Sequence, residues 1–534
     1  MNGGITVAVI GLGPLGLVTL KNLLEEGFEV TGFDRNIYVG GLWQYTEDDK
    51  TSVMQSTITN ISKERACTEH SVTMTRYRNA KEIEDVPTHP TAAHVEKYLV
   101  DYVHQFNLTS RMRLNTTVQK ISFDVDLEKW AIAIQNHKTE YFDKVVVATG
   151  VNNVPSIPVI RRIENFEGQC IHSRAFKRPS DFKGKKVMVI GFANTAADTA
   201  TQLVGHASKI YLSHRRGNCI IPRVVNGRAS DHSLTYRLSV IQDVMWRYLP
   251  GTAESMLNKI VKKLQDKCFT LRPEWGFQPA PSLKQTILIV SDDLISHLEN
   301  GSIKSVPGVK RITQGKQIEL ENGDTVEVDT IIFCTGYKPD FSILEPEYDP
   351  TASTTKEWSE SKGSNGKPLP RLYQNIFSLE RPESLAFMGC VAFTFPAFQI
   401  YDMATMALAQ IWKGNTTLPS KSEMVKAVDH HHAWVCELAK SGSVYPGIVK
   451  PGPWMHWANV TAGTGIDENL GYGLKGWWFW LSDWKFCNLL MGGIYSPHML
   501  RLFDGQRKKW DGARDAIIKA NETASGSVNK VKHA

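Results

Sequence analysis

Two glycine-bearing turns, each set directly after a short apolar run, are the residues here whose types and spacing point most clearly to chemistry. Gly11-Leu12-Gly13-Pro14-Leu15-Gly16 follows Val7-Ala8-Val9-Ile10. Gly11 suits a tight turn, Gly13 lets backbone N–H groups approach a pyrophosphate, and Gly16 lets a helix pack close to the strand. The helix that starts at Pro14 and Leu15 turns its positive end to that anion. Eighteen residues beyond Gly16, Asp34 ends the next apolar run, Phe28 to Phe33. A carboxylate there can accept hydrogen bonds from an adenosine ribose. A ligand-free turn is the bland alternative, but strand, glycines, helix, strand and acid in register favour a dinucleotide.

The signature recurs in mid-chain. Val187-Met188-Val189-Ile190 leads into Gly191-Phe192-Ala193-Asn194-Thr195-Ala196, with alanine at two of the three glycine positions. A helical pattern follows through Ala197, Ala200, Leu203 and Val204. The next apolar run, Ile210-Tyr211-Leu212, ends in Ser213-His214-Arg215-Arg216 and carries no acid. Without a carboxylate to bond a free ribose hydroxyl, Ser213 and Arg215 suit the 2′-phosphate of NADP; solvated surface arginines are the competing reading. Two such folds in one chain suggest hydride passing from a nicotinamide to a flavin. Val145 to Gly150 and Ile331 to Tyr337, both apolar runs ending in or near Thr-Gly, read as the crossings between the two.

Further motifs carry a family resemblance. Phe166 to Phe176 fits FxGxxxHxxx(Y/F), Gly40-Gly41-Leu42-Trp43 fits a flavin-contacting GGLW, and Thr59-Asn60-Ile61-Ser62-Lys63-Glu64 fits TN-x-x-KE. Gly191 to Asp198 is similar to GxGNSGxD, and Phe333 to Tyr337 to FATGY. From about residue 5 to 415 the sequence resembles the flavin-containing monooxygenases, a family of class B flavoprotein monooxygenases, of fungal type. The resemblance implies FAD at Leu42, Trp43, Thr59, Asn60 and Ile61, and NADPH at Gly191, Asn194, Thr195, Ala196, Ala197 and Asp198. It implies transfer of one oxygen atom of O2 to a small organic substrate through a flavin 4a-hydroperoxide, by N- or S-oxygenation such as N-hydroxylation in secondary metabolism. Asn60 is its catalytic candidate, because an amide donates a hydrogen bond without protonating the oxygen; the competing role is a cap for a helix near Ser62. His172 is read as structural. Baeyer–Villiger insertion beside a ketone is the alternative, though its fingerprint has tryptophan where Phe176 stands. The segment after Pro396 lacks the acid and glutamine usual there.

These residues need an α/β frame: two Rossmann-like domains, the NADPH domain inserted into the FAD domain. The expected division is 1–155 and 333–440 for FAD, 156–332 for NADPH with a helical insertion at about 222–285, and an extension over 441–534. A chain of 534 residues, 42% hydrophobic and 22% charged, is long enough for this. A net charge of +6 from 61 basic and 55 acidic residues, without a basic run, argues against nucleic acid. No metal site is expected. Eight scattered cysteines without a CxxC pair suggest reduced thiols and a cytoplasmic setting. Trp477-Trp478-Phe479-Trp480-Leu481 is too short to span a membrane and is expected to be a buried cluster, peripheral membrane contact being the lesser alternative. Residues 522–534 are expected to lack structure, and homo-oligomerisation is left open.

Overall fold

The structure, a computed structural model, describes residues 4–66 and 86–531. Thr6–Ile10 pairs in parallel with Glu29–Phe33 on one side and Lys144–Val147 on the other. Val7, Ala8 and Val9 have no exposure at all, as strands covered on both faces require. Met112–Arg113 extends one edge of this seven-stranded sheet. Leu385–Phe387, Phe377–Ser378 and Leu372–Tyr373 complete the other. Its strands thus come from both sides of a long excursion in sequence.

That excursion is the second domain. Gln169–His172, Lys186–Ile190, Lys209–His214, Ile303–Pro307 and Thr330–Phe333 form a five-stranded sheet, parallel throughout. The chain leaves and returns along one ribbon, in which Val154–Pro155 pairs antiparallel with Tyr337–Lys338. The architecture is therefore α/β with one nucleotide-type domain inserted into the other.

Within the inserted domain, Tyr236–Tyr248 and Pro250–Cys268 form a helical hairpin. Thr235 caps the first helix by accepting from Leu238 N, and Pro250 opens the second, where its missing N–H costs nothing.

The last ninety-odd residues belong to the first domain's core. Ile517 and Leu490 are fully buried in the cluster that holds Leu17, Leu20 and Leu408. A polar clasp joins this region to the helix Pro14–Glu25. Asn22 Nδ2 donates to Asp402 Oδ1 (3.0 Å) and Thr405 Oγ1 (2.7 Å), both on the helix Ala397–Trp412. Arg501, 1% exposed, donates to Asn22 Oδ1 and to Lys508 O, each at 2.8 Å, and pairs with Glu25 at 3.2 Å.

Two expectations are corrected. The tail does not lose structure at Glu522: the helix Ala513–Val531 runs through it, seated by Ala513, Ile517 and Ala520. Residues 532–534 lie outside the described ones. The aromatic run is not a buried cluster either, since Trp477, Trp478 and Trp480 are all exposed. Its helix is seated by Gly476 and Phe479, on the other face.

Arg501→Ala should remove one of the two cations that serve Asn22 and Glu25, Lys21 staying with both, and cost about 1.5–3 kcal/mol. The thermal midpoint of FAD release should fall accordingly. An unchanged midpoint would mean that the clasp contributes nothing.

Candidate active site

The first glycine loop is tight enough that side chains are excluded by contact. Gly11 has φ +100°, and a Cβ there would collide with Ala148 O. A Cβ on Gly16 would run into Gly11 O. The Gly40–Gly41 turn folds over the same loop: a Cβ on Gly41 would lie 3.0 Å from Gly13 Cα. Leu42 and Trp43 follow in a single 3-10 turn, and Trp43 packs against the main core. Pro14 opens the helix, so the Leu15 and Gly16 N–H groups of its first turn have no acceptor within it. Asp34 is 8% exposed, accepting from Leu12 N (2.7 Å) through Oδ2 and from Asn36 N (2.8 Å) through Oδ1. Each oxygen keeps a lone pair. A side-chain-free cradle with a fixed carboxylate at its edge fits the pyrophosphate and ribose of FAD.

The second loop repeats the geometry. Gly191 has φ +130°, and a Cβ there would collide with Cys334 O. Thr195 is exposed at the helix start, while Ala196 and Ala197 are fully buried and pack the helix onto its sheet. Asn194 turns its amide sideways, donating to Leu288 O (3.2 Å) and accepting from Val290 N (2.9 Å). The pattern fits a dinucleotide held by backbone N–H groups.

Ser213 is corrected. It has no exposure and its hydroxyl donates to Pro307 O at 2.9 Å, so it cannot reach a 2′-phosphate. Ile10 pairs with Phe33 and Ile190 with Ser213, which makes His214 the counterpart of Asp34. The His214 ring stacks on Phe192 at 4.4 Å, and burial holds its pKa below the usual histidine value. Arg215 stands next, its side chain 63% exposed and paired with Glu321 at 3.1 Å.

Between the folds lies the segment that holds Asn60. Thr59 is buried, donating through Oγ1 to Ile61 O (2.9 Å) and through its N–H to Pro90 O (2.8 Å). Ile61 packs on the main core. At Ser62 the chain makes one turn, in which Arg65 N and Ala66 N both return to Ser62 O. Arg223 comes from the inserted domain. It donates through Nε to Thr59 O (3.1 Å) and through Nη2 to Asn60 Oδ1 (2.9 Å), and its Nη1 meets Asp292 Oδ2 at 3.0 Å. A guanidinium only donates, so it must face the amide oxygen, which leaves Asn60 Nδ2 on the side away from Arg223. That nitrogen has no partner among the described residues. Arg223 and Asp292 carry no motif, and nothing in their local spacing signals this role.

His172 makes a structural contact: Nε2 lies 3.0 Å from Gly336 O, Nδ1 accepts from Arg174 N, and burial holds the ring below its usual pKa. It ties the inserted sheet to the returning crossing.

Comparison with known proteins agrees with this arrangement. The flavin-binding monooxygenase-like family matches residues 4–532. The chain belongs to that family. It is 48% identical over 521 residues to Monooxygenase aurF of Gibberella zeae, covering 97% of each chain. It is 30% identical over 436 residues to Dimethylaniline monooxygenase [N-oxide-forming] 2 of Pan troglodytes, covering 78% of this chain and 75% of that one. Its fold also matches S-allyl-L-cysteine S-oxygenase from Allium sativum, with a TM-score of 0.62, 19% identity and 98% of each chain covered. This flavin monooxygenase uses FAD and NADPH.

Two predictions follow from the second loop. Arg215→Ala should raise the NADPH Michaelis constant about 10- to 100-fold and leave that for NADH nearly unchanged, as loss of one charge-assisted contact implies. Equal change for both would leave Arg215 only its surface pair with Glu321. Asp198, on the same helix, has its pKa pushed up to about 6 by burial, with Arg223 opposing the shift. A raised carboxyl is penalised when ionised, so stability falls as pH rises between the ordinary carboxyl range and about 6 and stays low above it. Asp198→Asn should stabilise the cofactor-free protein by about 2–3 kcal/mol near pH 8 and by nothing below about pH 4. A pH-independent difference in thermal midpoint would contradict this.

Proposed function

We propose that this monooxygenase transfers oxygen to an electron-rich nitrogen or sulfur of a small organic molecule, and that Asn60 is the residue that directs the oxygen to it. The observation that carries the reading is the hydrogen bond from Arg223 to Asn60 Oδ1, which holds the amide by its oxygen and leaves its nitrogen as donor. The relative named as N-oxide-forming supports the choice of a soft nucleophile as substrate.

When bound, the flavin would supply the redox chemistry between NADPH and O2. The chain's own residues bind and orient. The Leu15 and Gly16 N–H groups would hold the FAD pyrophosphate and Asp34 its ribose, while Leu42, Trp43, Thr59 and Ile61 would line the flavin. The loop from Gly191 to Asp198 would hold the NADPH pyrophosphate, and Arg215 would take its 2′-phosphate. Asn60 Nδ2 would donate a hydrogen bond to oxygen held there, and an amide does not give up its proton. One oxygen atom goes to the substrate and the other leaves as water. The seven described cysteines are all free thiols, which supports a reducing, cytoplasmic setting.

Removing Asn60 should change where the electrons go more than how fast they arrive. Asn60→Ala should keep its FAD and still oxidise NADPH. It should release hydrogen peroxide in place of product, with product formation down about 100- to 1,000-fold for loss of one preorganised donor. Arg223→Ala should uncouple in the same way, and the double variant should be no worse than either single one, because the two side chains act as a unit. A screen of amines, thioethers and ketones, following NADPH, peroxide and product mass together, is the experiment. A normal product-to-NADPH ratio in Asn60→Ala removes its catalytic role, and turnover of ketones alone makes the enzyme a Baeyer–Villiger catalyst.

A further inference from the structure

The cation that holds Asn60 stands at one end of a β-hairpin, and the other end of that hairpin reaches the same loop. Val224–Val225 pairs antiparallel with Arg228–Ala229 across a two-residue turn, in which Asn226 has φ +51° and Gly227 φ +76°, as a turn of this kind requires. Ser230 N donates to Arg223 O at 2.8 Å, so the pairing carries on to the residues just outside the strands. Asp231 and His232 follow at once, in the single 3-10 turn Ser230–Ser233. Alternate residues of the loop meet the hairpin in order. Asn60 Oδ1 accepts from Arg223 Nη2 at 2.9 Å, and Ser62 donates to Asp231 Oδ2 through N (2.9 Å) and Oγ (3.1 Å). Glu64 Oε2 lies 3.2 Å from His232 Nε2, and Arg65 Nη1 donates to Asp231 O at 2.8 Å.

The side chain of Asp231 is spent on this contact. Its Oδ1 is buried without a partner among the described residues, and Oδ2 takes both bonds from Ser62. Ser62, Glu64 and Arg65 are themselves buried. Within the first domain the loop is already tied by Thr59 N to Pro90 O and by Lys63 N to Thr88 O. Asp231 adds nothing to that local tie; it sets the loop against the hairpin. Arg223 reaches the loop only up to Asn60, at Thr59 O and at the amide oxygen. Held on that side alone, the amide can turn about its oxygen. Held at Ser62 as well, from the same hairpin, the direction of its nitrogen is set. Ser62 suits this task because Arg65 N and Ala66 N both return to its carbonyl, so fixing it fixes the turn that follows.

We propose that Asp231 is a positioning residue for the amide of Asn60, acting through Ser62; this rests on the role given to Asn60 above. Asp231→Asn keeps an oxygen for Ser62, and Asp231→Ala keeps none. The test supplies holoenzyme with NADPH and O2 and no organic substrate, so that NADPH, a proton and O2 end as NADP+ and hydrogen peroxide. Asp231→Ala should release peroxide about 10- to 100-fold faster than the native chain, the scale of a misplacement of about 1 Å. Asn60→Ala should do likewise, and Asp231→Asn should stay within about twofold of native. In the FAD-loaded protein without NADPH, amide hydrogen exchange over residues 58–66 should quicken in Asp231→Ala and not in Asp231→Asn. If Asp231→Ala does not hold FAD, Ser62→Ala decides: it removes one bond, leaves the Ser62 N–H, and should raise peroxide release about two- to tenfold. The proposal is overturned if Asp231→Ala and Ser62→Ala match the native rate while Asn60→Ala exceeds it. It is also overturned if Asp231→Asn releases as much peroxide as Asp231→Ala, or if exchange over 58–66 does not change in Asp231→Ala. A native rate in Asn60→Ala itself removes the reading of Asn60, and this one with it.

Discussion

Arg223 stands where the inserted domain meets the loop that carries Asn60, and its guanidinium has no lone pair to offer. Thr59 O, Asn60 Oδ1 and Asp292 Oδ2 are therefore all turned towards it. Two of those oxygens belong to the first domain and one to the second, so a single planar cation ties the two folds together beside Asn60. The same cation bears on Asp198, whose carboxyl it pulls down against the stronger effect of burial. Orientation of the amide, docking of the domains and the charge state of the second loop share one side chain. This suits a reaction in which the protein positions groups and excludes water but supplies no acid.

The parts of this arrangement that were legible in the sequence are those set by short-range geometry. Gly11, Gly16 and Gly191 are demanded by collisions within a few residues or with the adjoining strand, and a spacing rule captures that. Asp34 was legible because it directly follows its strand. The same rule slipped at Ser213. The apolar run stops at Leu212 but the strand continues to His214, so the site position falls one residue later than composition suggests.

Long-range relations were not legible. Arg223 lies 163 residues from Asn60, and nothing local tells an arginine which loop it will meet. Nor does hydrophobicity tell a helix which face to bury. Trp477-Trp478-Phe479-Trp480 reads as core, and only Phe479 and the absent side chain of Gly476 turn it over. The tail misled in the opposite sense: its last residues are polar, but the stripe Ala513, Ile517 and Ala520 had already committed them to a packed helix.

The clasp of Asn22 with Asp402, Thr405 and Arg501 has a bearing on how the chain is made. All five strands of the inserted sheet lie between residues 169 and 333, so that domain has every strand in hand while much of the protein is still on the ribosome. The surrounding domain has none of that independence. Its opening helix waits for partners translated some 380 and 480 residues later, since the clasp spans those intervals. The inserted sheet can thus be complete before the surrounding domain has the carboxyl-terminal helices it needs to close.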